Sequence, residues 1–199
     1  VAKFLLTRRG LSKAMIGEYL GRLRDPFCQA VLHSFVGQVP MGQKDLDEAL
    51  RELLTHFRLP GEAQKIERVI QVFAEHFCRA NQKLVSRLFR DPETSFVLAF
   101  AIIMLNTDLH TPSLKESKRM KLEDFVKNLK GIDAGEDIDQ EYLRGSYGRV
   151  KTAEFRPGTD QVTQVLKVDK SILASPKKPS LGAAHRRLVC YCRLYEVDD

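Results

Sequence analysis

"FRLPGEAQKIER", residues 57–68, is the stretch on which the reading of this chain turns. Leu46, Leu50, Leu53, Leu54 and Phe57 recur at helical spacing up to the Leu-Pro-Gly break, and Ile66, Val69, Ile70, Phe73 and Phe77 do so beyond it. Two amphipathic helices therefore meet at a corner. Proline fixes φ at Pro60 and glycine at Gly61 permits a tight turn; Glu62 comes before the next apolar stripe begins at Ile66, which lifts it clear of the packed face. A glutamate at a helix start ordinarily does no more than oppose the positive end of the helix dipole. Exposed on a short, stiff support, it can also act on a neighbour.

The same helical period extends outward from the corner. Ser12 reads as an N-cap before Met15, Ile16, Tyr19 and Leu20, with Gly21 as the stop. Asp25-Pro26 and Asp91-Pro92 each read as a cap followed by proline at the first helical position. Leu122, Phe125, Val126 and Leu129 end at Gly131, and Tyr142, Leu143 and Tyr147 mark a further helix. No fixed-period repeat emerges. The fold class is all-α, a stack of short amphipathic helices over residues 1–151. Residues 152–184 read as a linker, with a helix marked by Val162, Val165, Leu166 and Ile172 and broken at Pro176-Lys177-Lys178-Pro179. The last fifteen residues, "HRRLVCYCRLYEVDD" at 185–199, alternate as a strand does, and one strand needs partners.

At 199 residues the chain can bury a core without disulfide or metal. Its four cysteines, Cys28, Cys78, Cys190 and Cys192, form no CxxC pair, which points to a reduced, cytosolic protein. The longest apolar run, Phe96 to Leu105, is about half of what a bilayer requires. The formal charge of +6 admits nucleic acid, an anionic membrane or an acidic partner. Basic residues are mixed with acids over the first 150 positions, while Lys177, Lys178, Arg186, Arg187 and Arg193 gather near the end. That distribution favours a membrane-facing tail, and no aromatic residues interleave with a basic stripe as a nucleic-acid groove would want.

A second stretch, "FVLAFAIIMLNTDLHTP" at 96–112, joins a helix apolar on every side to a polar knot. Such a helix is buried all round or offers one face to a partner. Asn106, Thr107, Asp108 and His110 either cap the helix end or meet a ligand, and Asp108 and His110 lack further partners at a metal-binding spacing. "DAGEDIDQEYLR" at 133–144 fails as a calcium loop, because Ile138 stands where glycine is needed and Arg144 where the closing acid is needed; it reads as a solvated turn. GxxxxGK, GxGxxG and GxSxG are all missing.

Taken together, in that order and about thirty residues apart, the two stretches closely resemble the signature motifs of the Sec-seven family, the guanine-nucleotide exchange factors of Arf GTPases. The similarity runs on through "MKLEDFVKNLKGIDAGEDI", "YLRGSYGRV", "VLKVDKSIL" and "HRRLVCYCRLYEV", and it covers nearly the whole chain. The later segments look like the brefeldin-resistant, IQ-motif-containing subgroup, in which a pleckstrin-homology domain follows. By this resemblance 185–199 is the first strand of that domain, and a helix of the family's domain precedes the segment that starts at Val1.

The resemblance implies a role for the acid. Glu62 matches the family's glutamic finger, which enters the partner's nucleotide site beside Mg²⁺ and the β-phosphate and weakens GDP binding. Two unit charges about 4 Å apart at an effective dielectric near 20 interact by roughly 4 kcal/mol, or about a thousandfold in a rate. Phe96, Ile103 and Met104 would line a hydrophobic groove for the switch regions of Arf. Asn106, Asp108, His110, Thr111 and Pro112 would form its polar lip, and Arg58 and Lys65 would brace the finger loop or touch Arf. Glu67 stands where the commoner spelling has aspartate, and Thr111 where it has asparagine. Phe100-Ala101 occupies the place where brefeldin-sensitive members carry Tyr-Ser, so resistance is expected. The chain would need no cofactor of its own, since Mg²⁺ and the nucleotide belong to the GTPase. Its partners would be an Arf-family GTPase and an anionic phosphoinositide membrane, with no nucleic acid. A helical adaptor that uses the same groove without exchange activity is the second reading.

Overall fold

The computed structural model of the chain describes residues 1–8, 10–158 and 160–171. Along them run α1 (Ala2–Thr7), α2 (Lys13–Leu20), α3 (Pro26–Val36), α4 (Leu46–His56), α5 (Ala63–Ala80), α6 (Gln82–Leu88) and α7 (Thr94–His110). A 3₁₀ turn at Glu116–Lys118 leads to α8 (Leu122–Asn128), α9 (Gln140–Thr152) and α10 (Gln161–Ser171). Among the described residues there is no strand, only an isolated bridge between Asp133 and Glu136. The strand anticipated over 185–199, with Cys190, Cys192 and the late basic cluster, lies outside the described residues.

Local chemistry sets most helix starts. The Ser12 hydroxyl accepts from the Met15 N–H at 3.4 Å, and Asp25 Oδ1 accepts from Phe27 and Cys28, with Pro26 at the first helical position. Asp91-Pro92 behaves differently. Asp91 Oδ1 accepts from Glu93 N, but the next three bonds (Thr94 to Asp91, Ser95 to Pro92, Phe96 to Glu93) close tight three-residue turns, so the regular helix begins at Thr94.

α5 and α7 are the axis of the molecule. α5 packs on α3, α4 and α7, and α7 also packs on α4 and α9. Val69, Ile70, Val72, Phe73 and Phe77 of α5 and Leu98, Ala99, Ile102 and Leu105 of α7 are fully buried between them and their neighbours. Fully burying one such large side chain contributes about 1.5–3 kcal/mol, so this seam dominates cohesion. The two helices run antiparallel. The Cys78 thiol near the end of α5 donates to Ser95 Oγ at the start of α7 at 3.4 Å, and α5, of 18 residues, matches α7, of 17. The start of α5, which carries Glu62, therefore lies at the same end of the pair as Asn106–His110.

Two buried carboxylates lock the periphery. Asp47, wholly buried, accepts from Arg149 at 2.7 and 2.8 Å and from Ser146 at 3.1 Å, which ties α4 to α9. Asp133, 3% exposed, accepts from the Arg90 and Asp91 amides and from the Thr94 hydroxyl. The 133–139 segment is therefore not simply a solvated turn. Ala134 to Asp137 are exposed, but Asp133 and Ile138 at its ends are built into the core.

Candidate functional site: the Glu62 corner and the open face of α7

The corner is stiff because its root is buried. Phe57 is fully buried, edge-on to Phe35 at 5.7 Å, and Pro60 is buried as well. Arg58 holds its backbone against α2 on both sides. Its N–H donates to Lys13 O at 3.0 Å, and its carbonyl lies where a Cβ on Gly17 would come within 1.8 Å. The Arg58 side chain stays exposed. Gly61 contributes less than expected. Its φ is outside the left-handed region, and a Cβ there would meet nothing within 4 Å, so the bend rests on Pro60 and the buried root.

Glu62 is the N-cap residue of α5, with its side chain 71% exposed. One carboxylate oxygen pairs with Lys65 Nζ at 2.8 Å, and the same ammonium reaches Glu18 of α2 at 3.0 Å. Hydrogen bonds to Glu62 and Glu18 raise the Lys65 pKa above the ordinary lysine value, which keeps it a cation. The Lys65 side chain is 19% exposed, but with Glu62 open to water the pair is worth little, so Glu62 is oriented by Lys65 without being immobilised.

α7 presents an apolar stripe to solvent. Met104 is 54% and Val97 40% exposed, seven positions apart, with half-buried Phe100 and Ala101 between them on the same face. Of the groove residues expected from sequence, Met104 is on this stripe and Phe96 is half-buried at its margin. Ile103, 8% exposed, belongs to the core. Val97 and Phe100 complete the stripe, and their i, i+3, i+7 spacing with Met104 is the signal by which they are found.

The polar knot is committed largely to its own molecule. Asn106 Oδ1 accepts from Phe155 N at 2.7 Å, and Asp108 Oδ2 accepts from Met120 N at 2.5 Å. His110 Nε2 donates to Val150 O at 2.8 Å, since a carbonyl can only accept, and Thr111 Oγ1 donates to Thr107 O at 2.5 Å. Asn106, Asp108, His110 and Thr111 are half-buried, and Pro112 is exposed. These bonds pin the end of α7 to the 153–158 segment, to α9 and to the loop before α8. A cleft of about 680 Å³ lined by Arg79, Arg87 and Arg90 lies at the other end of α5, away from the corner.

The fold thus carries an exposed acid on a corner with a buried root and, on the central helix α7, a strip of apolar side chains open to solvent. The sequence model of the Sec7 domain matches residues 1–155, and the chain belongs to that family. It is 44% identical over 160 residues to Brefeldin A-inhibited guanine nucleotide-exchange protein 4 of Arabidopsis thaliana, covering 80% of this chain and 9% of that protein. It is 42% identical over 160 residues to the ankyrin repeat, PH and SEC7 domain containing protein secG of Dictyostelium discoideum, covering 80% of this chain and 16% of that one. The chain thus spans about a tenth of the length of the Arabidopsis relatives it matches. Among solved structures, the Sec7p catalytic domain superposes with a TM-score of 0.70 at 39% identity, covering 77% of each chain. The Sec7 domain bound to ARF1-GDP and brefeldin A superposes at 0.69 and 36% identity, covering 78% of this chain and 75% of that one.

Proposed function

We propose that this domain accelerates GDP release from an Arf-family GTPase, with Glu62 as the finger. The observation that carries the reading is the exposure of Glu62 on a buried root, at the end of the α5–α7 pair where the open stripe of α7 stops. A partner segment seated on Val97, Phe100 and Met104 gains apolar burial, and Met104 adapts its shape to what it meets. Docking brings the Glu62 carboxylate to the partner's phosphate and Mg²⁺ site, where it competes for the cations that hold the β-phosphate. Lys65 releases the carboxylate at small cost, because Glu62 is largely solvated and the ammonium keeps Glu18 as a partner. Arg58 and Pro112, both exposed, flank the contact; Phe96, Asn106, Asp108, His110 and Thr111 touch the partner at the rim and support it from behind, and Ile103 supports from the core. No covalent step occurs on this chain, and the metal and nucleotide belong to the partner.

Phe100-Ala101 in place of Tyr-Ser makes the exchange insensitive to brefeldin A, in line with the IQ-motif subgroup. In the longer protein α10 links the domain to a pleckstrin-homology domain that recruits it from cytoplasm to a phosphoinositide membrane, where it regulates traffic. The test is fluorescent GDP release from an Arf protein, with and without brefeldin A. Glu62→Lys keeps the thermal midpoint and the helical signal, and abolishes stimulated release. Unchanged release by the variant defeats the finger; binding without acceleration by the unaltered protein assigns the adaptor role.

A further inference from the structure

The chain after α9 does not leave the domain at once. It crosses the end of the molecule that carries the corner, pinned at each step. Arg51 of α4 donates to the Glu154 and Ala153 carbonyls at 3.0 and 2.8 Å and stacks on the Phe155 ring at 4.5 Å. Phe155 N donates to Asn106 of α7. Gly158 N then donates to Thr55 O at the end of α4 at 2.9 Å, three residues before Arg58. Last, buried Asp160 reaches the first helical residue of α2, accepting from Lys13 N at 3.2 Å. The family match ends at residue 155, so Gly158 and Asp160 lie beyond it.

Lys13 is where these threads meet. Its N–H goes to Asp160, its carbonyl accepts from Arg58 N, and its ammonium donates to Thr55 O. One residue thus joins the 153–160 segment to both ends of the finger-loop root. Asp160 is shared in turn. Oδ1 accepts from Thr163 N at 2.7 Å and caps α10, while Oδ2 takes both Lys13 N and the Thr163 hydroxyl, so the starts of α2 and α10 converge on one carboxylate. Two positive helix ends facing one anion favour that arrangement over either helix alone. Gly158 sits close in this approach: a Cβ there would stand 3.1 Å from the Thr55 carbonyl oxygen and 2.5 Å from Lys13 Nζ, so an added methyl presses on both.

We propose that Lys13, Gly158 and Asp160 are positioning residues for the finger: the clamp they form holds the 57–62 loop in register, and the chain that continues into α10 is a working part of the exchange site. This rests on the exchange reading above. None of the three touches the partner. They act through the Arg58 backbone, so loosening the clamp leaves docking on α7 intact and misplaces the Glu62 carboxylate, to which the rate is sensitive.

Two measurements on the 199-residue chain test the clamp, with Asp160→Ala and Gly158→Ala as separate variants. Amide hydrogen exchange of the 57–62 peptide accelerates in both, while peptides from α7 and α9 keep their protection. Saturation kinetics of GDP release show kcat lowered about tenfold with KM within a factor of about two. A merely structural role would lower the thermal midpoint and loosen α7 and α9 together, and that pattern overturns the proposal. So does an unchanged 57–62 peptide. If the unaltered chain releases no GDP, the exchange reading falls, while faster exchange confined to 57–62 still establishes the clamp.

Discussion

At the scale of single residues, glycines show how differently two positions of one type are used. In sequence, Gly61 is conspicuous beside Pro60, and Gly17 is an unremarkable residue in a short helix. In the fold the weights reverse. A Cβ on Gly17 would lie 1.8 Å from the Arg58 carbonyl oxygen, a backbone atom that cannot step aside without moving the finger root, whereas a Cβ on Gly61 meets open space. Gly17→Ala is therefore expected to destabilise by about 1–3 kcal/mol, as overpacking does. Gly61→Ala is expected to leave stability unchanged or raise it by up to about 1 kcal/mol by restricting the unfolded chain. Urea midpoints of the two variants decide the matter, and a larger loss in Gly61→Ala than in Gly17→Ala would refute the assignment. The contact at Gly17 spans a tertiary approach between distant segments, and no local pattern announces such an approach.

At the scale of elements, the sequence marks α2, α4 and α5 by an apolar stripe that ends at a cap, a glycine or the Leu-Pro-Gly break, and α7 by its unbroken apolar run. It also placed Glu62 on its corner. What it left open was the orientation of α7. A helix apolar on every side has no polar face to say which side meets water, so Met104 and Ile103, adjacent in sequence, were equally plausible on the surface; one is 54% and the other 8% exposed. The polar knot was ambiguous for a related reason. Asn106, Asp108 and His110 can cap or bind, and their partners at Phe155, Met120 and Val150 come from segments that only the fold brings near. Opposite consequences follow for two substitutions on α7. Met104→Asp places a charge on the open stripe, and the thermal midpoint is expected to stay within the range of surface changes, about 0.5 kcal/mol, while affinity for the GTPase falls at least about tenfold. Leu98→Ala, at a fully buried position, is expected to cost about 2–5 kcal/mol and to act on binding only through folding. Titration of an Arf protein by calorimetry, beside thermal melts, separates the two; a Met104→Asp chain that binds normally would show that the stripe is not the docking face.

At the scale of the whole molecule, the end opposite the corner depends on Asp133. Its carboxylate holds the Arg90–Asp91 backbone and the Thr94 hydroxyl, and so anchors the turn from which α7 departs toward the site. Burial on its own would push the Asp133 carboxyl up, but the two backbone N–H donors, the Thr94 hydroxyl and the nearby Arg90 charge outweigh it and hold the pKa below the ordinary aspartate value. A carboxyl with a depressed folded-state pKa binds a proton more readily when unfolded. Its contribution is therefore complete above the unfolded value, near 4, and drains away as pH falls through the lower folded value. Asp133→Asn cannot ionise and brings an amide donor toward groups that already donate. At pH 7 the variant is expected to melt well below the unaltered chain. As the pH falls below about 4 the two melting curves are expected to converge, because only the unaltered chain loses this stabilisation on acidification. A gap that stays constant as the pH falls from 7 through the acid range would mean that Asp133 acts by shape and not by charge. The start of α7 would then be held by the packing of Leu98 and Ala99 and by the Cys78–Ser95 bond, and its end independently by Asn106, Asp108 and His110.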